Sequence, residues 1–446
     1  MKSFLKLFLV SSLIIWAKFA SAQNITFTNL YFFSATDFST GSNIDGAVPY
    51  SGVILVSNAL YGTTYLGGQY GDGVLYKLVG TNLTVLHNFN GGIDGSEPQS
   101  DLLLISNSLY GTASLAGPER GGTIFRYDLN SSNFTVIADF GNDVFTGPSE
   151  LFNTNGVFYG TAANGPVYGY GVIFAAPYSG GSVTDLFDFG YTDGTYPAPI
   201  IPGNGVLMVG DTFYGTTTGG GSGYGGTVYK LSGGDLVVLQ AFTNSAGPQC
   251  QLVLSGNTLF GMTEQGGADS SGSIFRVNTD GSAYTNLYSF DYYTHGAYPQ
   301  RGLTMANGVL YGTAAQGGAV SGDGGVVFQI NPDGTGYTVL HSFASFGAEG
   351  NYPESDLFVS GNNLYGTTSG GGPGQSGGVF MITVSSPAML DFQKINGSLV
   401  LSWAGTNYSL QSATNLNSAF STIAGATSPY TNQFIGMQIF FRLVGN

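Results

Sequence analysis

Short apolar runs alternate with polar turns along this chain, and their order recurs over most of its length. One five-residue element, Leu60 to Thr64 with the sequence Leu-Tyr-Gly-Thr-Thr, returns in six further variants. The glycines of the seven copies are Gly62, Gly111, Gly160, Gly215, Gly261, Gly312 and Gly366. Their spacing is about fifty residues, which indicates a repeat architecture.

Each repeat contains four segments with the pattern of short strands. In the first repeat these are Val53 to Val56, the element at 60–64, Val74 to Leu78 and Leu83 to Phe89. Polar turns and Gly-rich loops separate them. Four short strands in each period of about fifty residues are typical of a propeller blade, whereas helical solenoids have shorter periods. The sequence therefore predicts an all-β fold, a seven-bladed β-propeller of four-stranded blades.

The two ends of the repeat region complement each other. The last repeat stops after its third strand, Gly378 to Ile382, and Ile25 to Phe33 supplies a fourth-type strand near the N-terminus. Pairing these two segments would close the ring and cover strand edges that otherwise promote aggregation. We expect the propeller to span residues 23–384, with the N-terminal strand completing the seventh blade.

Residues that recur at one repeat position are expected to build the blade. The repeated glycine follows an aromatic residue, and it would permit a bulge or the close approach of a neighbouring strand. His87 and His341 share one repeat position, which is occupied by other residue types in other repeats. The sequence predicts a packing role for both histidines.

The regions outside the repeats have different patterns. Residues 1–22 resemble a signal peptide, because Lys2 and Lys6 precede an apolar stretch and Ala20-Ser21-Ala22 supplies a cleavage pattern. We expect export without membrane insertion after cleavage; the alternative, a transmembrane anchor, is short for a bilayer. Residues 385–446 are predicted to form a small C-terminal β module. Trp403 is expected in its core, with a sugar-stacking platform as the alternative.

Composition narrows the functional classes. The chain has 72 Gly and 14% aromatic residues, only 8% charged residues and a net charge of −15. An anionic surface repels phosphate backbones, so nucleic acid is not an expected partner. The lone cysteine, Cys250, cannot form an intramolecular disulfide. We therefore expect a monomer whose stability comes from packing.

The repeated Leu-Tyr-Gly-Thr-Thr, Gly-Gly, Val-Tyr-Lys-Leu, Val-Leu-His-Ser-Phe and Asp-Gly-x-x-Pro elements resemble the GloVer (Gloeo/Verruco) tandem repeat family over roughly residues 25–384. Members of that family are bacterial proteins with export signals, so the resemblance implies a secreted, extracellular or cell-surface location. It implies no biochemical activity.

Polar side chains that differ between repeats follow a repeated proline at the start of the innermost strands. We expect them to meet at the channel mouth, on the face that carries the long Gly-rich loops. The candidate ligand-binding residues are Tyr50, Asp101, Glu150, Arg301, Glu354 and Asp356. They suit a neutral or cationic partner, either a glycan or an extracellular protein or peptide. The alternative is a solvated rim without a ligand.

Signals for catalysis and metal binding are weak. The pairs Glu150 with Glu354 and Asp101 with Asp356 offer acid and base groups for sugar chemistry, but a sequence does not fix their separation. Gly-rich loops contain Asp72, Asp269 and Asp323 without the several carboxylates that tight calcium binding needs. We predict no catalytic residue, metal or cofactor. A non-catalytic binding or scaffold propeller is favoured over a glycoside hydrolase or lyase.

Overall fold

The computed structural model describes residues 24–141, 146–164, 170–190, 205–243, 246–319, 323–345, 348–385, 391–395, 398–402, 408–413, 419–433 and 440–445. Throughout these ranges the regular secondary structure is β-strand. The described residues include no helix with the length and apolarity needed to cross a membrane. The chain divides into two compact units, Phe27–Ile382 and a second one that contains the chain from Thr383 onward.

Seven antiparallel sheets among the described residues form the propeller, which confirms the predicted fold class. Within a blade, strands that follow each other in sequence are neighbours in the sheet, except that blades 2 and 3 each have an additional short first strand, which pairs with the same strand as the innermost strand does. The N-terminal strand is β1 (Asn24–Phe32), and the strands of blades 1 to 3 are β2 (Ile54–Val56), β3 (Ala59–Thr64), β4 (Val74–Val79) and β5 (Asn82–Asn88); β6 (Ser96–Pro98), β7 (Leu103–Ile105), β8 (Ser108–Leu115), β9 (Arg120–Asp128) and β10 (Asn133–Gly141); and β11 (Thr146–Pro148), β12 (Phe152–Thr154), β13 (Val157–Asn164), β14 (Val172–Pro177) and β15 (Thr184–Asp188).

Blades 4 to 7 repeat the pattern. Their strands are β16 (Leu207–Val209), β17 (Thr212–Thr217), β18 (Tyr224–Ser232) and β19 (Asp235–Thr243); β20 (Val253–Ser255), β21 (Thr258–Thr263), β22 (Ser273–Asn278) and β23 (Thr285–Ser289); β24 (Thr304–Ala306), β25 (Val309–Ala314), β26 (Val326–Ile330) and β27 (Thr338–Ser342); and β28 (Phe358–Ser360), β29 (Asn363–Thr368) and β30 (Gly378–Ser385). Strand β1 pairs with β30 as the outermost strand of blade 7, which confirms the predicted closure.

The repeated glycine makes room for an aromatic ring. Gly312 on β25 lies opposite Phe328 on β26, and a Cβ atom at Gly312 would lie only 2.6 Å from Cζ of that ring. The same pair recurs in every blade. The neighbouring strand does approach the glycine closely, as predicted, and the group that makes the contact is an aromatic side chain. The seven rings, each at most 1% exposed, are Tyr76, Phe125, Phe174, Tyr229, Phe275, Phe328 and Phe380.

The threonine after this glycine joins neighbouring blades. Thr313 Oγ1 donates to the carbonyl oxygen of Ser355 in the next blade at 3.1 Å. Thr367 Oγ1 donates to the carbonyl oxygen of Ser51 at 2.9 Å, which connects blade 7 to blade 1. Blade 5 has Met262 at this position, so it lacks the hydroxyl. Where the threonine is present, these buried bonds fix the innermost strand of one blade against the preceding blade.

The packing role of the two histidines is confirmed. His87 stacks on Phe134 of the next blade with ring centroids 3.6 Å apart, and its Nε2 lies 2.8 Å from Oδ2 of Asp94. His341 stacks in the same way on Phe27 at 3.8 Å. Aromatic residues of the outermost strands thus contribute to the contact between blades.

The C-terminal module contains two three-stranded sheets in the described ranges. Leu399, Leu401, Leu410 and Phe441 form its apolar cluster. Trp403, the predicted core residue, lies outside the described residues. The strands are β31 (Asp391–Ile395), β32 (Ser398–Ser402), β33 (Tyr408–Ala413), β34 (Ser421–Thr422), β35 (Tyr430–Gln433) and β36 (Phe440–Gly445).

We expect Gly312→Ala to lower the free energy of unfolding by about 1–3 kcal/mol, because the new methyl group would overlap the Phe328 ring. Gly141→Ala is the matched control, since a Cβ there meets no atom of the described residues within 4 Å. Urea denaturation of both variants measures the difference. Equal stability of the two variants would show that the ring does not constrain the glycine.

Thr367→Val removes the hydroxyl that joins blade 7 to blade 1 while keeping the shape of the side chain. We expect a loss of about 1–3 kcal/mol, because the buried carbonyl oxygens of Pro49 and Ser51 both lose this donor. Thermal unfolding followed by circular dichroism measures the effect. An unchanged melting temperature would contradict a stabilising role for the closing bond.

Candidate functional site

One repeat position brings residues of all seven blades to the centre of the propeller. This position lies ten residues before the repeated glycine, at the start of the innermost strand. Its occupants, which we call the channel ring, are Gly52, Asp101, Glu150, Gly205, Gln251, Gly302 and Asp356. Carboxylate oxygens of Asp101, Glu150 and Asp356, from blades 2, 3 and 7, lie within 4.8 Å of one another. Such proximity between separate blades shows that these side chains converge across the channel.

Two glycines of the channel ring orient two of its aspartates. The backbone N–H of Gly52 donates to Oδ1 of Asp101 at 2.6 Å. The backbone N–H of Gly302 donates to Oδ1 of Asp356, also at 2.6 Å. Each bond joins neighbouring blades in the same way. Glycine is required at position 52, because a Cβ there would lie 2.9 Å from Asp101 Oδ2.

Arg301 departs from the repeat. The position before the channel ring holds a short side chain in five other blades, Ser51, Ser100, Ser149, Cys250 and Ser355. Ser100 Oγ, for example, accepts a hydrogen bond from the N–H of Thr112 in its own blade. Arg301 is 1% exposed and donates from Nε to the carbonyl oxygen of Glu354 at 2.6 Å. Its Nη1 and Nη2 have no hydrogen-bond partner among the described residues.

Burial and mutual repulsion change the protonation of the three carboxyl groups. Burial, followed by the charges of Asp356 and Asp101, raises the pKa of Glu150 well above its usual range. Burial and the charge of Asp101 raise the pKa of Asp356 to about 7, although Arg301 and the N–H of Gly302 oppose the shift. Burial also raises the pKa of Asp101, against Arg301 and the N–H of Gly52. Ionising all three groups together is therefore unfavourable.

The other two candidates, Tyr50 and Glu354, precede the channel ring on their strands and lie at the channel mouth. Both are half-buried, and both are within electrostatic reach of Arg301. Burial raises the pKa of Glu354, while a hydrogen bond with Ser369 opposes the rise. The structure thus places Asp101, Glu150 and Asp356 together in the channel, with Arg301 beside them and Tyr50 and Glu354 toward the mouth.

The mouth includes polar residues that the sequence analysis missed. Tyr65 contacts the edge of Tyr50 with ring centroids 5.2 Å apart and shares a hydrogen bond with Glu97. Glu264 accepts hydrogen bonds from the amides of Gln249 and Gln300. Tyr65 and Glu264 share the position three residues after the repeated glycine. The other blades have Ser114, Ala163, Thr218, Ala315 and Ser369 there, and this variation was the available signal.

A cavity of about 200 Å³ lies beside the channel ring. Its polar lining comes from Asp101, Gln251 and Asp356, and its apolar lining comes from residues that follow the ring along the innermost strands. The apolar residues are Val53, Ile54, Leu102, Leu303, Leu357 and Phe358. Because Tyr50 and Glu354 precede the ring, the carboxyl groups lie between the cavity and the mouth.

The family model of the Gloeobacter/Verrucomicrobia repeat matches residues 21–210 and 199–380. The chain belongs to this repeat family. The match covers the propeller and confirms the resemblance seen in the repeated elements. A search of curated proteins finds no match.

Several solved structures resemble this Gloeobacter/Verrucomicrobia repeat protein in fold alone. An oligogalacturonate lyase from Vibrio parahaemolyticus is 9% identical, with a TM-score of 0.48 and coverage of 81% of this chain and 98% of the lyase. BamB from Moraxella catarrhalis is 12% identical, with a TM-score of 0.45 and coverage of 80% and 100%. The computationally designed protein Ika8 is 13% identical, with a TM-score of 0.44 and coverage of 80% and 99%.

The raised pKa of Asp356 predicts a pH dependence of stability in the repeat protein. The folded chain holds this proton up to about pH 7, whereas the unfolded chain releases it near the ordinary value of 3.8. The protonated Asp356 side chain therefore contributes fully to the free energy of unfolding below about pH 4. This contribution is lost as the pH rises toward 7. We expect Asp356→Asn to flatten the decline in melting temperature between pH 4.5 and 7.5.

Asp333→Asn is the control for this experiment. Hydrogen bonds from Thr335 lower the pKa of Asp333, so this exposed group stays ionised between pH 4.5 and 7.5 and contributes no slope there. Asp333→Asn should therefore keep the wild-type decline in melting temperature over this range. If wild type and Asp356→Asn declined in parallel, the channel carboxyl would not be the source of the dependence.

Proposed function

We propose that this repeat protein is a secreted, non-catalytic binding propeller that holds a neutral, hydroxyl-rich ligand such as a glycan at its channel mouth. The observation that carries the proposal is Arg301, whose buried guanidinium presents two Nη groups without partners among the described residues. Buried polar groups are nearly always hydrogen-bonded, and those that are not require a reason. A ligand with hydroxyl acceptors supplies that reason.

The side chains around Arg301 favour a neutral ligand. Glu354, Asp101, Glu150 and Asp356 surround the arginine with acidic groups, and the whole chain is strongly acidic. A polyanion would meet repulsion from these groups. A neutral polyol instead offers acceptors to the guanidinium and donors to the carboxylates, so it satisfies both sets of groups.

The composition of the mouth supports a glycan. Tyr50 and Tyr65 provide adjoining aromatic rings, and Glu97 and Glu264 provide acceptors held by neighbouring side chains. Sugar sites combine aromatic surfaces, which cover the C–H faces, with fixed polar groups, which bind the hydroxyls. None of these residues is explained by the repeat, because the equivalent positions in other blades differ.

The competing function is a carbohydrate-active enzyme. It is favoured by the buried carboxyl groups of Glu150 and Asp356, which share a hydrogen bond and have raised pKa values, as a general acid requires. Binding is preferred because the mouth contains more groups suited to recognition than the channel contains groups aligned for a reaction. A lyase or hydrolase would release shortened or unsaturated sugars, which a binding protein would not.

A glycan array, paired with a reducing-end and unsaturated-sugar assay on the same polysaccharides, tests the proposal. We expect retention of neutral glycans without turnover. Arg301→Ala combined with Glu354→Ala should weaken binding at least about tenfold, because a good hydrogen-bonding group contributes about 1–3 kcal/mol. Tyr65→Phe tests the mouth with less risk to folding, since it removes only the hydroxyl that bonds to Glu97.

Tyr293→Ala is the matched control, because this aromatic side chain is 79% exposed and belongs to none of the mouth residues. Its binding should equal that of wild type. If wild type cleaved a polysaccharide and the double variant did not, the protein would be an enzyme and the binding function would be wrong. Binding of peptides but not of glycans, or glycan binding unaffected by the double variant and by Tyr65→Phe, would overturn the proposed ligand site.

A further inference from the structure

The carboxyl groups in the channel ring have the arrangement of a cation site. Asp101 and Asp356 each use Oδ1 to accept a backbone N–H, from Gly52 and Gly302 respectively. These bonds fix the orientation of both carboxylates and leave Oδ2 of Asp101 available, while Asp356 also shares a side-chain hydrogen bond with Glu150, whose place a cation would take. Hydrogen bonds of this kind, made to the ligand side chains rather than to the ion, commonly orient metal ligands in proteins.

Glu150 provides an independent indication that a ligand belongs here. The residue is 5% exposed, and its Oε1 has no hydrogen-bond partner among the described residues. An unpartnered buried carboxyl oxygen is costly. Gln251, from blade 5, lines the cavity beside the two aspartates and adds a neutral amide oxygen at the same level of the channel.

Arg301 does not satisfy these oxygens. Its Nε bonds to the carbonyl oxygen of Glu354, and neither Nη atom has a partner among the described residues. Without a cation, ionising all three carboxyl groups is unfavourable, because the charge of Arg301 still leaves an excess of two negative charges in the channel. A divalent cation would balance that excess.

We propose that Asp101, Glu150 and Asp356 form a calcium site inside the channel. Calcium binds oxygen ligands at about 2.3–2.6 Å, so two of its ligands are separated by at most about 5 Å. The carboxylate oxygens, within 4.8 Å of one another, fit this limit. Magnesium demands near-ideal octahedral geometry at about 2.0–2.1 Å and keeps several waters, whereas calcium accepts irregular sets of carboxylate ligands such as one from each of three blades.

This site differs from the loop positions considered in the sequence. Asp72, Asp269 and Asp323 lie in Gly-rich loops of three different blades, whereas the channel site collects one carboxylate from each of blades 2, 3 and 7. A cation there would join blades that are far apart in sequence. The proposal does not depend on which ligand occupies the mouth.

Isothermal titration calorimetry of the purified full chain, stripped with a chelator and titrated with calcium chloride at pH 7.5, tests the site. We expect one calcium ion per chain, a rise in melting temperature with calcium, and weaker binding of magnesium. Glu150→Gln should weaken calcium binding by about tenfold or more while keeping the shape of the side chain. Asp101→Asn provides a second variant if the first does not fold.

Asp269→Asn is the matched control, because this exposed loop carboxylate lies outside the channel ring. It should bind calcium like wild type. The proposal is overturned if wild type shows neither heat nor a thermal shift, if Asp269→Asn abolishes binding, or if both channel variants bind like wild type. Magnesium binding as strong as calcium binding would overturn the assignment of the metal.

Discussion

The structure depends on the contact between the repeated glycine of the second strand and the aromatic ring of the third. Each of the seven rings lies so close to its glycine that a single methyl group would overlap it. This contact keeps the two strands of every blade in one register. The adjacent threonine, exemplified by Thr313, then bonds to the innermost strand of the next blade. One short sequence element therefore determines both the packing within blades and the spacing between them.

Because the scaffold is fixed by the second and third strands, the first residues of the innermost strands are free to vary. The channel ring uses this freedom with glycines, carboxylates and one amide at a single repeat position. The glycines are part of the site, since Gly52 and Gly302 hold the aspartates of the neighbouring blades. Arg301 replaces a serine that would otherwise bond within its own blade. The departures from the repeat thus concentrate charge where the blades converge.

Much of the fold was predictable from the sequence, because residues that recur at one repeat position make the same packing contacts in each blade. The blade count follows from the spacing of one element, the four strands follow from the segments around it, and the closure follows from the extra strand-like segment near the N-terminus. The convergence of Asp101, Glu150 and Asp356 was only partly predictable, because ring closure places them together but does not reveal their separation or burial. Tyr65 and Glu264 were not predicted because they follow the second strand, whereas the predicted site residues follow the repeated proline before the innermost strand. That the Nη groups of Arg301 have no partner among the described residues depends on side-chain geometry, which a sequence pattern does not contain.

We infer that the channel ring is a ligand site built by departures from the repeat. A high-resolution crystal structure of the chain, grown with calcium and without glycan, tests this inference most directly. We expect a single ion bound by Asp101, Glu150 and Asp356, and no bond from the Nη groups of Arg301 to these carboxylates. Direct bonds from those Nη groups to the three carboxylates, with no ion between them, would contradict it.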